Sequence, residues 1–180
     1  EHGLALVDMK DLRALLDEVR LTLLVSLVKF ERMEWILEKG TELGVERFIP
    51  VMADRSERGL DKAVEKRRER WEKVLLESAQ QARRDRVPEL GDWLKFDQAV
   101  KMEAQVRWTL DEEGGMPIAK AAPAMRLPSD RVLLLVGPEG GWTDRERNCG
   151  WDRVTLGNQI LRTETACVAA AAIVDALWAS

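Results

Sequence analysis

Short apolar runs alternate along this chain with longer segments in which apolar residues recur every three or four positions. The apolar and β-branched runs predict buried strands at 22–28, 45–51, 105–110, 131–136 and 153–156. The amphipathic spacing predicts helices at 31–44, 61–84 and 163–178, and a short helix at 119–122. Strands that alternate with helices indicate an α/β fold with a mostly parallel sheet.

Local signals refine the ends of these elements. Gly44 suits the left-handed position just after the first helix, and Pro50 should confine the strand at 45–51 to an end or an edge of the sheet. Thr143 and Glu146 form a T-x-x-E capping box, so a helix is expected to begin directly after Thr143. Thr163 is the expected N-cap of the last helix, a contribution of about 1 kcal/mol.

The composition describes an ordinary soluble globular protein. Charged residues make up 33% and hydrophobic residues 46% of the 180 positions, and no apolar run approaches the ~20 residues that span a bilayer. The two cysteines, Cys149 and Cys167, offer neither a disulfide framework nor a CxxC metal spacing, and a reducing cytoplasm is the expected location. The only histidine is His2, which argues against Ser–His–Asp and Cys–His catalysis, and no metal site is expected.

The net charge of −4 conceals a basic segment. Residues 55–86 hold eleven Lys or Arg against seven Asp or Glu, a local balance of +4. On the predicted helix this charge forms one face with Lys66, Arg67, Arg70 and Lys73. Such a face can bind phosphates, and it can equally be a solvated surface with ion pairs between residues four positions apart.

The sequence GPEGGW at 137–142 follows a predicted strand and precedes the capping box. It contains neither G-x-x-x-x-G-K-[ST] nor G-x-G-x-x-G, which disfavours a nucleoside triphosphate and a dinucleotide as ligands. Two interpretations stay open: a tight turn, or a backbone wall that faces a small polar ligand such as an adenosine. Trp142 is expected to stack on a base or on the rim of a cofactor. The sequences DEEGG and GNQILR follow other predicted strands, so they are expected at the same edge of the sheet.

The sequence ILRTETA opens the last predicted helix. Glu164, in the first turn, interacts favourably with the helix dipole, which alone can explain its presence. Arg162 stands just ahead of the helix N-terminus, where the same dipole disfavours a cation. An anionic partner is therefore expected beside Arg162.

Two segments together, LLVGPEGGWTDRE and VTLGNQILRTETA, resemble the paired signature of the ribosomal RNA small subunit methyltransferase E family. The stretches SLVKFERMEWILEKGTELGV, IPVMADRS and QQARRDRVPEL agree in order and spacing, and the resemblance covers residues 22–178. It implies methylation of N3 of a uridine in 16S rRNA, within the 30S subunit, by an enzyme that uses S-adenosylmethionine. It also implies a SPOUT fold with a C-terminal trefoil knot, and a homodimer.

The resemblance further implies functional residues, carried over position by position. It places the cofactor against two loops and the end of a neighbouring strand, at Leu110, Gly137, Pro138, Glu139, Gly140, Gly141, Leu156, Gly157, Ile160, Leu161 and Thr163. Catalysis is assigned to Arg162, Glu164 and Glu139. In this hypothesis Arg162 stabilises negative charge on the uracil oxygens, and either carboxylate or the solvent takes the N3 proton. RNA contacts are assigned to Arg55, Gln81, Arg84 and Arg162, and to the basic helix face.

The resemblance also divides the chain. Residues 1–21 are expected to be a remnant or linker of a missing N-terminal PUA-like RNA-binding domain, and 22–180 the SPOUT methyltransferase domain. Two positions depart from the family pattern: Gln159 stands where a basic residue is frequent, and Arg83 replaces a usual glycine. The alternatives are a non-catalytic RNA-binding module on the same fold, a SPOUT methyltransferase acting on tRNA or large-subunit rRNA, and a structural oligomer.

Overall fold

A computed structural model describes residues 19–178 of the chain. Its strands form one eight-stranded sheet in which every neighbouring pair runs parallel. The strands are β1 (Arg20–Ser26), β2 (Arg47–Met52), β3 (Glu89–Leu90), β4 (Leu94–Lys95), β5 (Val106–Leu110), β6 (Met116–Pro117), β7 (Arg131–Val136) and β8 (Asp152–Thr155). They lie in the order β3-β2-β1-β7-β5-β8-β6. Strand β4 also pairs with β2, nearer to the C-terminal end of β2 than β3 does. The predicted α/β fold with a mostly parallel sheet is confirmed.

Six helices accompany the sheet within this range. They are α1 (Phe30–Glu42), α2 (Leu60–Gln81), α3 (Phe96–Ala99), α4 (Ile118–Ala121), α5 (Asp144–Arg147) and α6 (Thr163–Trp178). Every predicted strand and helix is present, and Gly44 follows α1 with a φ of 85°, as expected of a glycine that ends a helix. The two-residue strands β3, β4 and β6 and the single turn of α3 are not predicted by the sequence, because pieces this short carry no periodic pattern.

Pro50 lies inside β2, and β2 has neighbours on both sides, so the prediction that this proline marks an end or an edge is wrong. The register explains how the proline is tolerated. Pairing with β3 reaches Phe48 and pairing with β4 begins at Val51, which leaves a gap between the two short strands. The carbonyl of Phe48 accepts a hydrogen bond from the N–H of Gly91 on the β3 side of β2. The backbone groups of residues two apart in a strand point to the same side, so those of Pro50 also point to the β3 side. Pro50 therefore faces the gap, where its missing N–H costs no ladder bond.

The sheet divides the core into two clusters. The larger cluster packs α1, α2 and α6 against one face and includes the fully buried Leu23 and Trp71. The smaller cluster lies on the other face around Phe96, Trp142 and Trp151. Both faces of the parallel sheet are thus covered, as such sheets require.

The expected domain boundary between residues 21 and 22 falls within β1, which begins at Arg20. The rest of the predicted N-terminal remnant, residues 1–18, lies outside the described residues, as does His2. The C-terminal trefoil knot implied by the resemblance stays a prediction.

Candidate cofactor-binding site

A pocket of about 440 Å³ opens at the carboxyl edge of the sheet. The loops that follow β5, β7 and β8 and the start of α6 bound it, at the edge where parallel α/β sheets bind ligands. Its volume lies within the ~300–1,000 Å³ range of small-molecule sites. The lining residues are Arg32, Leu110, Asp111, Glu112, Val136, Gly137, Pro138, Glu139, Thr155, Leu156, Gln159, Ile160, Leu161, Arg162, Thr163 and Ala166.

The glycine loop at 137–142 forms one wall of this pocket, and Trp142 supports the wall from behind. The Trp142 side chain is fully buried, its indole N–H donates to the carbonyl of Leu110 at 2.8 Å, and its ring packs on Phe96. A Cβ at Gly137 would stand 2.9 Å from this ring, so only glycine lets the backbone pass so close. The prediction that Trp142 stacks on a base or a cofactor rim is therefore wrong.

The capping box at the start of α5 is confirmed, and it also joins two loops. The Thr143 N–H donates to the Glu146 carboxylate at 2.9 Å, and the Glu146 N–H donates to the Thr143 hydroxyl at 3.4 Å. The same buried carboxylate accepts from the backbone N–H of Asp54, in the loop after β2, at 2.8 Å. Arg145 donates to Asp54 at 2.8 Å and holds the pKa of that carboxyl below its usual range. The loop after β2 is thereby tied to the glycine loop.

Arg55 extends this junction to the pocket wall itself. Its guanidinium donates to the carbonyl of Gly140 at 2.9 Å and to that of Trp142 at 3.3 Å. Gly141, between them, has a φ of 69°, a left-handed conformation that suits glycine. Arg55 therefore positions the glycine loop, while the RNA contact expected of it stays a prediction.

The start of α6 forms another wall. The Thr163 hydroxyl donates to the carbonyl of Gly137 at 2.9 Å, which ties the helix start to the glycine loop. Helix α6 begins at Thr163 itself, so the expectation that Thr163 is the N-cap is wrong, and its hydroxyl makes this tertiary contact instead. Arg162, one residue earlier, is exposed at the pocket and makes no ion pair within residues 19–178.

Arg32, in the first turn of α1, brings two predicted catalytic carboxylates together. It is partly buried, lines the pocket, contacts Glu139 and lies 3.8 Å from Glu164. Arg32 is not among the predicted site residues, because both carboxylates lie far from it along the chain. The signal that could have found it is its place just beyond the carboxyl end of β1, the ligand-binding edge of the sheet.

Asp111 anchors the loop after β5. Its side chain is buried and lies 2.8 Å from Arg153 and 3.4 Å from Arg147. A buried carboxylate held by two guanidiniums serves to fix the backbone, so Asp111 is a poor candidate for proton transfer. Its neighbour Glu112 is exposed at the pocket, where it adds negative charge.

The structure brings most of the predicted cofactor and catalytic residues together. Those that line the pocket are Leu110, Gly137, Pro138, Glu139, Leu156, Ile160, Leu161, Arg162 and Thr163. Gly140, Gly141 and Gly157 belong to the same loops without lining it, and Glu164 approaches it through Arg32. The functional roles given to all of these residues stay predictions.

Two predicted RNA-binding residues lie away from the pocket, at the end of α2. Arg84 donates to the carbonyls of Thr41, in the last turn of α1, and of Gly44 and Val45, just after it, at distances of 2.7 to 3.3 Å. Gln81 is the exposed last residue of α2. Arg84 therefore has a structural role at this helix end, and the RNA contacts of both residues stay predictions.

The basic face of α2 is largely paired within the fold. Arg70 lies 3.1 Å from Glu34 of α1, and Lys73 lies 3.7 Å from Glu77, four positions further on. Arg67 stacks over an aromatic ring at the start of α1, at 4.9 Å from the ring centroid. These contacts favour the interpretation of this face as an ion-paired helix surface.

Other chemistries find little support in the described residues. Burial raises the pKa of the Cys167 thiol, so the thiol stays protonated and is a poor nucleophile. Within residues 19–178, no group of three or more His, Cys, Asp or Glu side chains could hold a metal ion. In the same range, no helix is long and apolar enough to cross a membrane.

Comparison with known proteins places this chain among RNA-modifying enzymes. A family model described as RNA methyltransferase domain matches residues 16–175. The ribosomal RNA small subunit methyltransferase E of Bacillus subtilis (strain 168) is 42% identical over 152 residues, which are 78% of this chain and 59% of that protein. The protein of the same name from Mycobacterium tuberculosis (strain CDC 1551 / Oshkosh) is 34% identical over 167 residues, 87% of this chain and 63% of that protein. The chain thus spans less than two thirds of the length of these relatives.

A solved structure extends the similarity to the fold. The crystal structure of a ribosomal RNA small subunit methyltransferase E from Neisseria gonorrhoeae, bound to S-adenosyl methionine, is 33% identical with a TM-score of 0.78. The match covers 89% of this chain and 67% of that one. The resemblance carried by the two C-terminal segments is confirmed: the chain belongs to the RNA methyltransferase family, and its relatives there are ribosomal RNA small subunit methyltransferase E proteins.

Proposed function

We propose that this chain is the catalytic domain of an S-adenosylmethionine-dependent methyltransferase that methylates N3 of a uridine in 16S rRNA. The observation that carries the proposal is the pocket at the carboxyl edge of the sheet, whose size and position suit a nucleoside-like cofactor. Support comes from the relatives, whose name states methyl transfer to small subunit ribosomal RNA, and from the Neisseria structure, which holds S-adenosyl methionine.

The pocket fits this cofactor in charge. S-adenosylmethionine carries no phosphate, and no lysine lines the pocket among the described residues. The cofactor does carry a positive sulfonium, and the lining holds three carboxylates (Asp111, Glu112 and Glu139) against two guanidiniums (Arg32 and Arg162). Apolar side chains from β5 and from the loop after β8 would hold the adenine, and the backbone of residues 137–139 and 156–161 would hold its polar edge. When bound, the cofactor supplies an electrophilic methyl group.

Arg162 is placed to stabilise the uracil. N3 of uracil is a weak acid that becomes a nucleophile once its proton leaves, and the negative charge then spreads to both carbonyl oxygens. Because Arg162 is exposed at the pocket without an ion pair in the described range, its charge is available to the substrate. A preorganised donor of this kind contributes about 10²–10³-fold to the rate. Holding the two reactants in line contributes more, roughly 7–11 kcal/mol.

Arg32 fixes where a candidate proton acceptor lies. Of the two carboxylates that approach Arg32, Glu139 lines the pocket and Glu164 does not. We therefore propose that Glu139 accepts the N3 proton. Glu139 is exposed, so it can release this proton to solvent. General-base assistance of this kind contributes about 10²–10⁴-fold.

The test is a methyl-transfer assay on 30S subunits from cells that lack the enzyme, followed by mass identification of the methylated nucleoside. We expect 3-methyluridine. Arg162→Ala should lower the rate about 10²–10³-fold while the calorimetric affinity for S-adenosylmethionine stays unchanged. Arg162→Lys, which keeps the charge without the planar fork, should recover part of the rate.

The outcomes separate the parts of the proposal. Full methylation by Arg162→Ala with intact cofactor binding would overturn the role of Arg162. A chain that binds RNA but no S-adenosylmethionine would be the non-catalytic module. A methylated nucleoside in tRNA or large-subunit rRNA would replace the substrate and keep the reaction.

We also propose that the domain works as a cytoplasmic homodimer, that residues 1–21 are a remnant or linker of an N-terminal PUA-like RNA-binding domain, and that the C-terminal segment forms a trefoil knot. The resemblance implies the dimer, the PUA-like domain and the knot, and the cysteine usage favours the cytoplasm. Sedimentation equilibrium would test the dimer, and a monomer that retains full methyl transfer would contradict it.

A further inference from the structure

A second cleft, of about 700 Å³, lies at the amino edge of the sheet, at the far end of the strands from the cofactor pocket. Three acidic residues line it together with six arginines, which are Arg20, Arg47, Arg83, Arg84, Arg86 and Arg131. Three of these arginines are the first residues of the adjacent strands β1, β2 and β7. The sheet therefore ends in a positively charged cleft.

The arginines of the cleft differ in whether the fold already uses them. Arg20 and Arg47 each pair with a glutamate of the cleft, at 3.2 and 3.1 Å, and Arg84 holds the end of α1. Within residues 19–178, by contrast, the exposed side chains of Arg83 and Arg86 make no hydrogen bond or ion pair. These two guanidiniums are available to a ligand.

Arg83 occupies a backbone position that favours glycine. It follows α2 with a φ of 54° and is the only residue other than glycine with a positive φ among residues 19–178. The N–H groups of Arg83 and Arg84 donate to the carbonyls of Gln80 and Ala79 at 3.1 and 2.9 Å. This is the Schellman pattern, whose left-handed residue is usually glycine. Strained backbone of this kind concentrates at functional sites, which points to a use for the Arg83 side chain.

We propose that Arg83 and Arg86 bind phosphate groups of an RNA strand in this cleft. The choice of RNA as the ligand rests on the proposed function. Two exposed guanidiniums in a cleft with twice as many arginines as acids suit a phosphodiester backbone, because each guanidinium can hold a phosphate with two donors. The contact lies away from the methyl-transfer pocket, so it positions the RNA without touching the reacting base.

The test compares Arg83→Gly, Arg86→Ala and the control Lys120→Ala with the parent chain. Fluorescence anisotropy measures binding of a short labelled single-stranded RNA at several salt concentrations, and thermal unfolding measures Tm. Each cleft variant should weaken RNA binding about fivefold near ~0.1 M salt and make the slope of log K against log salt shallower by ~0.7. Arg83→Gly should at the same time raise Tm by about 2–4 °C, because it relieves the backbone strain. Lys120→Ala, which removes an exposed charge outside both the pocket and the cleft, should change neither quantity much.

The opposite signs of the two Arg83→Gly effects separate binding from folding. The proposal would be overturned if both cleft variants bound RNA as tightly as the parent, or lost no more affinity than Lys120→Ala. A fall in the Tm of Arg86→Ala with unchanged RNA affinity would show that Arg86 stabilises the fold and does not bind RNA. That result would also overturn the proposal. Failure to bind S-adenosylmethionine in calorimetry would overturn the proposed function alone, because the RNA measurement needs no cofactor.

Discussion

The two edges of the sheet are built from the same parallel strands and carry opposite charge. At the carboxyl edge, the lining of a pocket of about 440 Å³ holds three carboxylates, from the loops after β5 and β7, against two arginines. At the amino edge, Arg20, Arg47 and Arg131 begin three adjacent strands, and the cleft there holds twice as many arginines as acids. Because all strands run the same way, one end can be specialised for a cationic cofactor and the other for a polyanion.

The edges also differ in how firmly their residues are held. At the carboxyl edge, Trp142 bonds to Leu110 and Thr163 bonds to Gly137, so the wall is fixed by contacts between distant parts of the chain. At the amino edge, Arg83 and Arg86 project without a partner in the described range. A fixed wall suits a small ligand of defined shape, and exposed, unpaired guanidiniums suit an extended backbone of phosphates.

The largest expected effect comes from removing the support of the pocket wall. Trp142→Ala should lower the free energy of unfolding by about 3–5 kcal/mol and abolish cofactor binding by the molecules that stay folded. Trp142→Phe keeps the packing on Phe96 but leaves the Leu110 carbonyl without its donor, for a loss of about 1–3 kcal/mol. Urea unfolding and calorimetry measure the two effects.

A matched control for this change is Trp71→Ala, in α2. Trp71 is also fully buried, but its ring packs on Phe30 of α1 and not behind the glycine loop. Its loss should cost comparable stability and leave the cofactor affinity of the folded protein unchanged. Equal cofactor affinity in folded Trp142→Ala and in the parent would contradict the role of Trp142 as the backing of the wall.

A smaller effect is expected at the amino edge, from Arg84→Ala. Arg84 donates to three carbonyls at the C-terminal end of α1, and hydrogen bonds from a charged donor contribute about 1.5–3 kcal/mol. We expect a loss of stability in that range in urea unfolding, with cofactor affinity unchanged. If Arg84→Ala instead kept its stability and lost RNA binding, Arg84 would belong with Arg83 and Arg86 among the binding residues.

The parts of the fold that local sequence decides could be predicted. The apolar run before 137–142, the glycines of that loop and the capping box of Thr143 and Glu146 are all readable within a few positions, and they specify a strand, a loop and a helix start. The same local signals locate the loop after β8 and the start of α6. Most of the residues in the pocket lining come from these segments.

The contacts between distant segments could not be predicted. Arg55 holds the carbonyl of Gly140, 85 positions away, and nothing near Arg55 in the sequence indicates that partner. The place of Trp142 in a glycine loop suggests that its ring is exposed. Packing on Phe96 and the hydrogen bond to the Leu110 carbonyl bury the ring instead. Residues such as these are positioned by the sheet order, which periodicity does not reveal.

Amide hydrogen exchange with and without S-adenosylmethionine tests the central claim most directly, because it reports on both edges of the sheet in one measurement. We predict that the cofactor slows exchange in residues 137–142, 156–163 and 110–112, and leaves residues 83–90 at the amino edge unchanged. Unchanged exchange in the three loops, or protection confined to residues 83–90, would contradict the assignment of the carboxyl-edge pocket as the cofactor site.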